Sequence, residues 1–555
     1  MPTDTRKRLG AHYTPAGLAR FLARRVARQV DGPVRVLDPA CGDGELLAAM
    51  AELAPDAEFV GFDLDADAVA VARERLPGAR IEQGDFTEIG ETLPAAAFDV
   101  VITNPPYVRT QVLGGAAAAR LSAKFGLRGR IDLTHPFVAM APRLLRPGGV
   151  LGLLCSNRFL TTRAGANVRE LLGDRFAVRE VFDLGDTRLF DAAVLPAVVV
   201  AVNAGDSDGA DSRCDDSRCD DSNSAQSAVA LFASAYQVDG DAPNGDLFDA
   251  LTADADSNVR VNNRAFAVSV GTLARGTPDQ PWRLSTPDRE RRHLAVRERT
   301  WRTLGDLARI RVGIKTTADP VFISDQWDRL PPARRPEPEL LRPLLTHEDV
   351  CAWRPPGPPR ARVLYPYLDL PRRAVVDLAN HPRAAAYLNL HRERLASRHY
   401  LTAAGREWFE IWVPHRPTLW RAPKIVFPDI SPEPRFTVDR SGAVVNGDCY
   451  WISVPELGAG AGGGSGDSDD LAHLVLGVAN SEFGARFYDE VCGNRLYAGR
   501  RRWITQYVAR LPLPDPATPA AREIIRVARL LAETPDQGLL PHLERAVRVA
   551  FGQAD

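Results

Sequence analysis

Residues 34–53 read VRVLDPACGDGELLAAMAEL, and the order of this stretch decides the fold. A short β-prone run ends at Asp38, a turn of small residues follows through Gly44, and helical periodicity begins at Glu45. A strand that closes on such a turn and opens directly into a helix lets the backbone approach a ligand at the helix N-terminus. Outward from this point the alternation repeats. EFVGFD (58–63), ARIEQ (79–83), FDVVITN (98–104), GVLGLLCSN (149–157), AVREVFDL (177–184) and PAVVVAVN (196–203) are strand-like. DAVAVARERL (67–76), THPFVAMAPRLL (134–145) and NVRELLGD (167–174) are helical between them. Seven strands alternating with helices predict an α/β, Rossmann-like domain with a mostly parallel sheet.

The ends of these strands carry polar residues suited to one ligand. Nineteen residues past Gly44 the second strand ends in Gly61-Phe62-Asp63, which puts a carboxylate where a nucleoside ribose offers two hydroxyls. The third leads into Gly84-Asp85-Phe86, an acceptor for an adenine amino group beside a ring to pack on the base. A generic doubly wound sheet with acidic loops shares these features; three such ends in a row suit an adenosine-containing ligand. The fourth strand closes on Asn104-Pro105-Pro106-Tyr107. The two prolines fix two φ angles and remove two backbone donors, leaving carbonyls aimed at a ligand. Asn104 Oδ1 and the Pro105 carbonyl can both accept from a planar NH2 group while Tyr107 stacks on its ring. That pair of acceptors turns the nitrogen toward tetrahedral geometry and frees its lone pair to attack an electrophilic methyl group.

The chain has 555 residues, 69 Lys+Arg against 71 Asp+Glu, a formal net charge of −2 and 45% hydrophobic residues, enough for several full cores. The total hides an asymmetry: residues 291–515 hold 33 Lys+Arg and 26 Asp+Glu, so this half is basic and the remainder acidic. A basic half is compatible with nucleic acid, and equally with a solvated Arg-rich surface. The seven cysteines form no CxxC pair and have no His at zinc spacing, so no metal site or disulfide framework is expected. No 18-residue apolar run appears and the N-terminus MPTDTRKRLG lacks a secretory h-region, which predicts a cytoplasmic protein without a membrane partner.

Residues 204–227, where DSRCD occurs twice in tandem, predict a disordered acidic insertion. From Leu304 the texture turns to Pro, Arg and aromatic residues with short strands, a mixed α+β domain in which GAGAGGGSGDSDD (458–470) predicts a flexible loop. Domains are expected at 1–295 and 296–515, followed by a helical segment at 516–555.

Gly10-Ala11-His12-Tyr13-Thr14-Pro15, the DPACGDG loop, GFDLD, GDF and NPPY, in this order, resemble S-adenosylmethionine-dependent DNA adenine methyltransferases of the TaqI-type and Eco57I-type gamma class. The resemblance implies a class I methyltransferase domain followed by a target-recognition domain. It implies that Tyr13, Thr14 and Pro15, with Asp38, Pro39, Ala40, Cys41, Gly42 and Gly44, hold the methionine part of S-adenosylmethionine. Asp63 then binds the ribose, and Asp85 and Phe86 the adenine. A target adenine in double-stranded DNA must be flipped out to be reached. The resemblance places Tyr107 on one face of it and Phe190 on the other, although a core ring at a strand start needs no such role. No general base is required, because the alkylated nitrogen becomes acidic and gives its proton to water.

Leu304-Gly305-Asp306-Leu307, Arg311 to Thr316, Trp420 to Val426 and Arg500-Arg501-Arg502-Trp503-Ile504 resemble the family's target-recognition domain more loosely. Lys315, Lys424, Arg500, Arg501 and Arg502 are candidate DNA contacts, whether to guanine edges or to phosphate. None of the four lysines follows an acidic residue at the spacing of a fused nuclease, so a cognate endonuclease is expected to be encoded separately. A monomeric modification enzyme of a restriction or phage-defence system is the expected role. The alternatives are a methyltransferase of a protein glutamine or ribosomal RNA base, which leaves the basic half idle, and a silent DNA-binding module, which has no need of NPPY.

Overall fold

The structure, a computed structural model, describes residues 13–31, 34–107, 114–189, 195–205, 229–462, 465–492, 500–534 and 536–553. Residues 10–12, Phe190 and the acidic stretch from 206 onward lie outside the described residues. The chain forms two compact units, residues 1–287 with 492–499 and residues 288–491 with 500–555.

The first unit is built on an eleven-stranded sheet. Its strands are β1 (Arg35–Asp38), β2 (Glu58–Asp63), β3 (Arg80–Gln83), β4 (Phe98–Thr103), β5 (Leu145–Ser156), β6 (Phe176–Asp183), β7 (Pro196–Asn203), β8 (Leu231–Val238), β9 (Ser257–Val261), β10 (Arg264–Ala274) and β11 (Arg283–Ser285). They lie in the order β3-β2-β1-β4-β5-β7-β6-β8-β10-β11, with β9 paired to β10. Strands β1 to β5 run parallel, and β7 is antiparallel to both β5 and β6. The seven predicted strands are all present, and the class I methyltransferase architecture is observed.

Period-two burial explains the sheet. Val36, Val100, Ile102, Val150, Val198 and Val200 enter the core on one face; Leu37, Val101, Leu151, Leu153, Val199 and Ala201 enter the core on the other. Both faces are covered, so the strands read as near-continuous apolar runs. Four further strands, β8 to β11, extend the sheet where the sequence predicts only weak patterning. They are rich in Ala and Ser and many of their positions are half-exposed, so no apolar run marks them.

Helix Ala16–Ala27 packs on the sheet through Leu18, Phe21, Leu22 and Val26. Phe21 meets Phe182 edge-on at 5.0 Å and stacks on Phe248 at 4.7 Å. Arg25 on this helix forms a two-pronged buried ion pair with Glu180 of β6, its Nε donating to Oε2 at 2.7 Å and its Nη2 to Oε1.

The second unit holds two four-stranded sheets and a core around Trp327, Trp420, Trp451 and Tyr365. The expected flexible loop at 458–470 is overturned: helices Val454–Ala461 and Ser465–Ala479 occupy this stretch among the described residues. Glycine costs a helix about 1 kcal/mol per residue, but Leu457, Leu471, Leu474 and Val475 are buried and tertiary packing outweighs propensity. Gly460 has a packing reason, since a Cβ there would lie 2.1 Å from the Leu307 carbonyl oxygen. Helices Pro519–Glu533 and Leu540–Ala550 belong to this unit, the first packing along Ser465–Ala479.

Candidate active site

The chain order reverses between β1 and β4, which is where ligands sit in open α/β sheets, beyond the carboxyl ends of the strands. Four of the predicted strand ends are neighbours here. Asp38, ending β1, is 1% exposed; its Oδ1 accepts from the Ala40 N–H at 3.0 Å, while Oδ2 has no hydrogen-bond partner among the described residues. Burial pushes its carboxyl up to about 7, against the pull of the Ala40 N–H. A buried carboxylate oxygen left unpaired is costly, and it suits an ammonium ligand such as the one the methionine end of S-adenosylmethionine carries.

Gly42 and Gly44 have φ of +53° and +82°, which lets the chain turn from β1 into helix Glu45–Ala51. A Cβ on Gly42 would lie 3.4 Å from the half-exposed Tyr13 ring, so the turn runs beneath that ring. Cys41 is buried, which pushes its thiol pKa up and keeps it a neutral packing group. Asp63 ties the turn to β2, accepting from Gly42 N–H through Oδ2 and from Asp65 N–H through Oδ1, each at 2.9 Å. Burial raises its pKa, and each oxygen keeps a lone pair for a further donor. Asp85 caps helix Phe86–Ile89, with Oδ1 accepting from Thr87 N–H at 2.8 Å and the Thr87 hydroxyl at 2.7 Å. Phe86 is 3% exposed, stacked on Phe137 at 5.6 Å and tilted against Phe62, so its ring belongs to the core and offers a ligand little more than an edge.

At the end of β4, Asn104 is held from both sides. Its Nδ2 donates to the Thr14 hydroxyl at 3.1 Å, and its Oδ1 accepts from the Tyr107 hydroxyl at 2.5 Å. Pro105 is buried, and Tyr107 packs against the apolar core. Burial pushes the Tyr107 phenol well above its ordinary pKa, helped by the negative charge of Asp132. The structure thus joins the Tyr13-Thr14-Pro15 segment to the NPPY turn by a direct side-chain bond.

Sequence reasoning missed Asp132 and His135. Asp132 Oδ1 lies 2.9 Å from His135 Nδ1, and His135 Nε2 lies 2.9 Å from the Ala164 carbonyl oxygen. The Asp132 N–H also points at Nδ1, at 3.1 Å; burial opposes charge on the ring, but the Asp132 carboxylate outweighs burial and raises the pKa of His135. The only signal in the sequence is an Asp just ahead of helix Thr134–Leu144 and a His three residues on in its first turn, and this spacing is common. At the end of β6, Asp183 accepts from Asn157 Nδ2, Gly185 N–H and the Tyr236 hydroxyl, which pins the start of the segment preceding Phe190.

The candidate DNA contacts separate into three groups. Lys315 and Arg500 are exposed. Arg501 and Arg502 are engaged by carboxylates, Arg501 with Asp489 at 2.7 and 2.8 Å and Arg502 with Asp429 at 3.2 and 3.1 Å. Lys424 is overturned as a DNA contact: it is fully buried, its Nζ donating to Asp439 Oδ2 at 2.6 Å and to the Trp420 carbonyl at 3.1 Å. Its strand continues an apolar run, and the buried Asp439 offsets the cost of hiding the ammonium. Among the described residues no group of His, Cys, Asp or Glu is arranged to hold a metal, and no helix is long and apolar enough to cross a membrane.

The chain is similar to known methyltransferases. Residues 78–190 match the model of the Eco57I restriction-modification methylase, and residues 36–119 match a methyltransferase domain. The type II methyltransferase M.BanIII of Aneurinibacillus aneurinilyticus is 33% identical over 98% of this chain and 97% of its own length. M.XhoI of Xanthomonas vasicola is 27% identical over 75% of this chain and 68% of its own. A release factor glutamine methyltransferase of Caulobacter vibrioides is 32% identical over only 21% of this chain and 44% of its own. The class I fold makes S-adenosylmethionine the cofactor. Likeness to M.BanIII along nearly the whole chain, the methylase match across the third and fourth strand ends, and an NPPY turn at the strand next to the Gly42 turn lead to one family: the chain belongs to the Eco57I-like type II restriction-modification methyltransferases.

Proposed function

We propose that this protein methylates the N6 amino group of an adenine flipped out of double-stranded DNA, as the cytoplasmic, monomeric modification enzyme of a restriction or phage-defence system with a separately encoded endonuclease. One observation carries the reading: Asn104 Oδ1 is presented beside Tyr107 at the switch point, next to the Asp38 turn. Bound S-adenosylmethionine supplies an electrophilic methyl group. Asp38 and the turn to Gly44 under Tyr13 hold its methionine end, Asp63 its ribose and Asp85 its adenine. Asn104 Oδ1 carries two lone pairs, one of which accepts from Tyr107; in this reading the target amino group donates to Oδ1 and to the Pro105 carbonyl. These two acceptors localise the nitrogen lone pair, Tyr107 and Phe190 hold the ring between them, and the proton released afterward goes to water. The second unit recognises DNA, with Lys315 and Arg500 as its exposed cations among those named.

Sequencing genomic DNA from a host that expresses the protein, beside one that expresses Asn104→Ala, tests the reading. N6-methyladenine at a defined site only with the wild type is expected; methylation of a release factor or ribosomal RNA instead would overturn it.

Two solution predictions follow from charge. With Asp38 at about 7, affinity for S-adenosylmethionine should rise as pH increases toward 7, because the ionised carboxylate is the form that attracts an ammonium. In the limit where only that form binds, the gain is about tenfold per pH unit below 7 and levels off above it. Calorimetry between pH 5.5 and 8 measures this, and Asp38→Asn should bind weakly with a flat profile. Raising salt should weaken DNA binding steeply, as release of phosphate counterions requires, and leave cofactor binding nearly unchanged. Equal losses of both in filter-binding and calorimetric titrations would contradict the division of labour.

A further inference from the structure

The Asn104 amide has two ends of nearly equal shape, and only one of them, Oδ1, can accept from a target amino group. Two hydroxyls meet these ends, Tyr107 at 2.5 Å and Thr14 at 3.1 Å. They are chemically unequal: a phenol is the stronger donor and the poorer acceptor, whereas an aliphatic hydroxyl accepts well. Tyr107 therefore selects the oxygen and Thr14 the NH2 end. Thr14 sits on a rigid mount, since the next residue, Pro15, starts helix Ala16–Ala27 and its carbonyl accepts from Leu18 and Ala19 N–H, both at 2.9 Å. Adjacent residues thus serve different ends of the site, with Tyr13 over the Gly42 turn and Thr14 on Asn104.

We propose that Thr14 is a positioning residue for methyl transfer, which holds the Asn104 amide so that Oδ1 and not Nδ2 faces the target amino group. This rests on Asn104 being the acceptor for that group. Without the Thr14 acceptor the amide turns more freely, and in its turned form Nδ2 meets the incoming amino group donor against donor. A misaligned group at a reacting centre costs about a hundredfold in rate.

The test uses the full-length protein, unmethylated genomic DNA and saturating S-adenosylmethionine. Thr14→Val keeps the shape of the side chain and removes the acceptor. It should lower the single-turnover rate about a hundredfold while the dissociation constant for S-adenosylmethionine, measured by calorimetry, changes less than about threefold. Retained cofactor binding also reports that the variant is folded, and Thr14→Ser should recover most of the rate. A wild-type rate for Thr14→Val, or a loss that extra cofactor restores, would overturn the proposal and leave Thr14 as a cofactor contact only. Asn104→Ala separates the two levels of inference. If it is inactive while Thr14→Val is fully active, only the positioning role fails; if Asn104→Ala itself is active, the assignment of Asn104 fails.

Discussion

Asn104→Ala should lower the single-turnover rate of methyl transfer by about a thousandfold, the upper range for removing one preorganised polar group at a reacting centre, with S-adenosylmethionine bound about as tightly as before. The substitution removes the acceptor oxygen and also the partner of both Thr14 and Tyr107. The groups proposed to hold the cofactor, Asp38, Asp63 and Asp85, stand at the ends of other strands and keep their own backbone hydrogen bonds, so cofactor affinity should survive. Asn104→Asp is the informative companion. It restores an oxygen toward the target but places a second acceptor where Nδ2 donated to Thr14, so the rate should be intermediate. Rapid-quench kinetics at saturating cofactor, with calorimetry alongside, reads both quantities. A drop confined to cofactor affinity would show that Asn104 belongs to the cofactor pocket and not to the chemistry.

Glu180→Ala should destabilise the first unit by about 3–5 kcal/mol, because it leaves the Arg25 guanidinium buried without its counter-charge. Arg25 is 9% and Glu180 7% exposed, too little for water to replace the lost partner. The pair joins helix Ala16–Ala27 to β6, and that helix carries the Tyr13-Thr14-Pro15 segment at its start. Loosening it should therefore weaken cofactor binding at temperatures well below unfolding. Hydrogen exchange of the β6 amides should accelerate at least about a hundredfold, the equivalent of some 3 kcal/mol. Replacing both partners with apolar residues, Arg25→Met with Glu180→Leu, should recover most of the stability, since the cost comes from the orphaned charge and not from loss of the pair. Equal destabilisation by the single and double variants would show that the pair is valued for its geometry instead.

The catalytic sheet was legible for a physical reason. Strands buried on both faces need apolar residues at nearly every position, so β1, β4, β5 and β7 stand out as continuous runs. Strands β8 to β11, at the far end of the sheet, are only partly buried and leave no such trace. The same logic explains the glycine-rich helices at 454–479: local propensity argued for a loop, and burial of Leu457 and Leu474 against distant helices outweighed it. Lys424 was misplaced because charge alone suggested the surface, while its partner Asp439 is brought beside it by strand pairing.

The sequence by itself determined that this protein is a class I methyltransferase of the Eco57I kind. The turns after β1, β2, β3 and β4 are short contiguous motifs, and their chemistry follows from residue type and order. Tertiary structure alone decided how those motifs act on one another. Thr14 and Asn104 are 90 residues apart, and Arg25 and Glu180 are 155 apart. Whether such side chains meet depends on how helices and strands pack, and a hydrogen bond or an ion pair between distant residues imposes no pattern on the residues nearby.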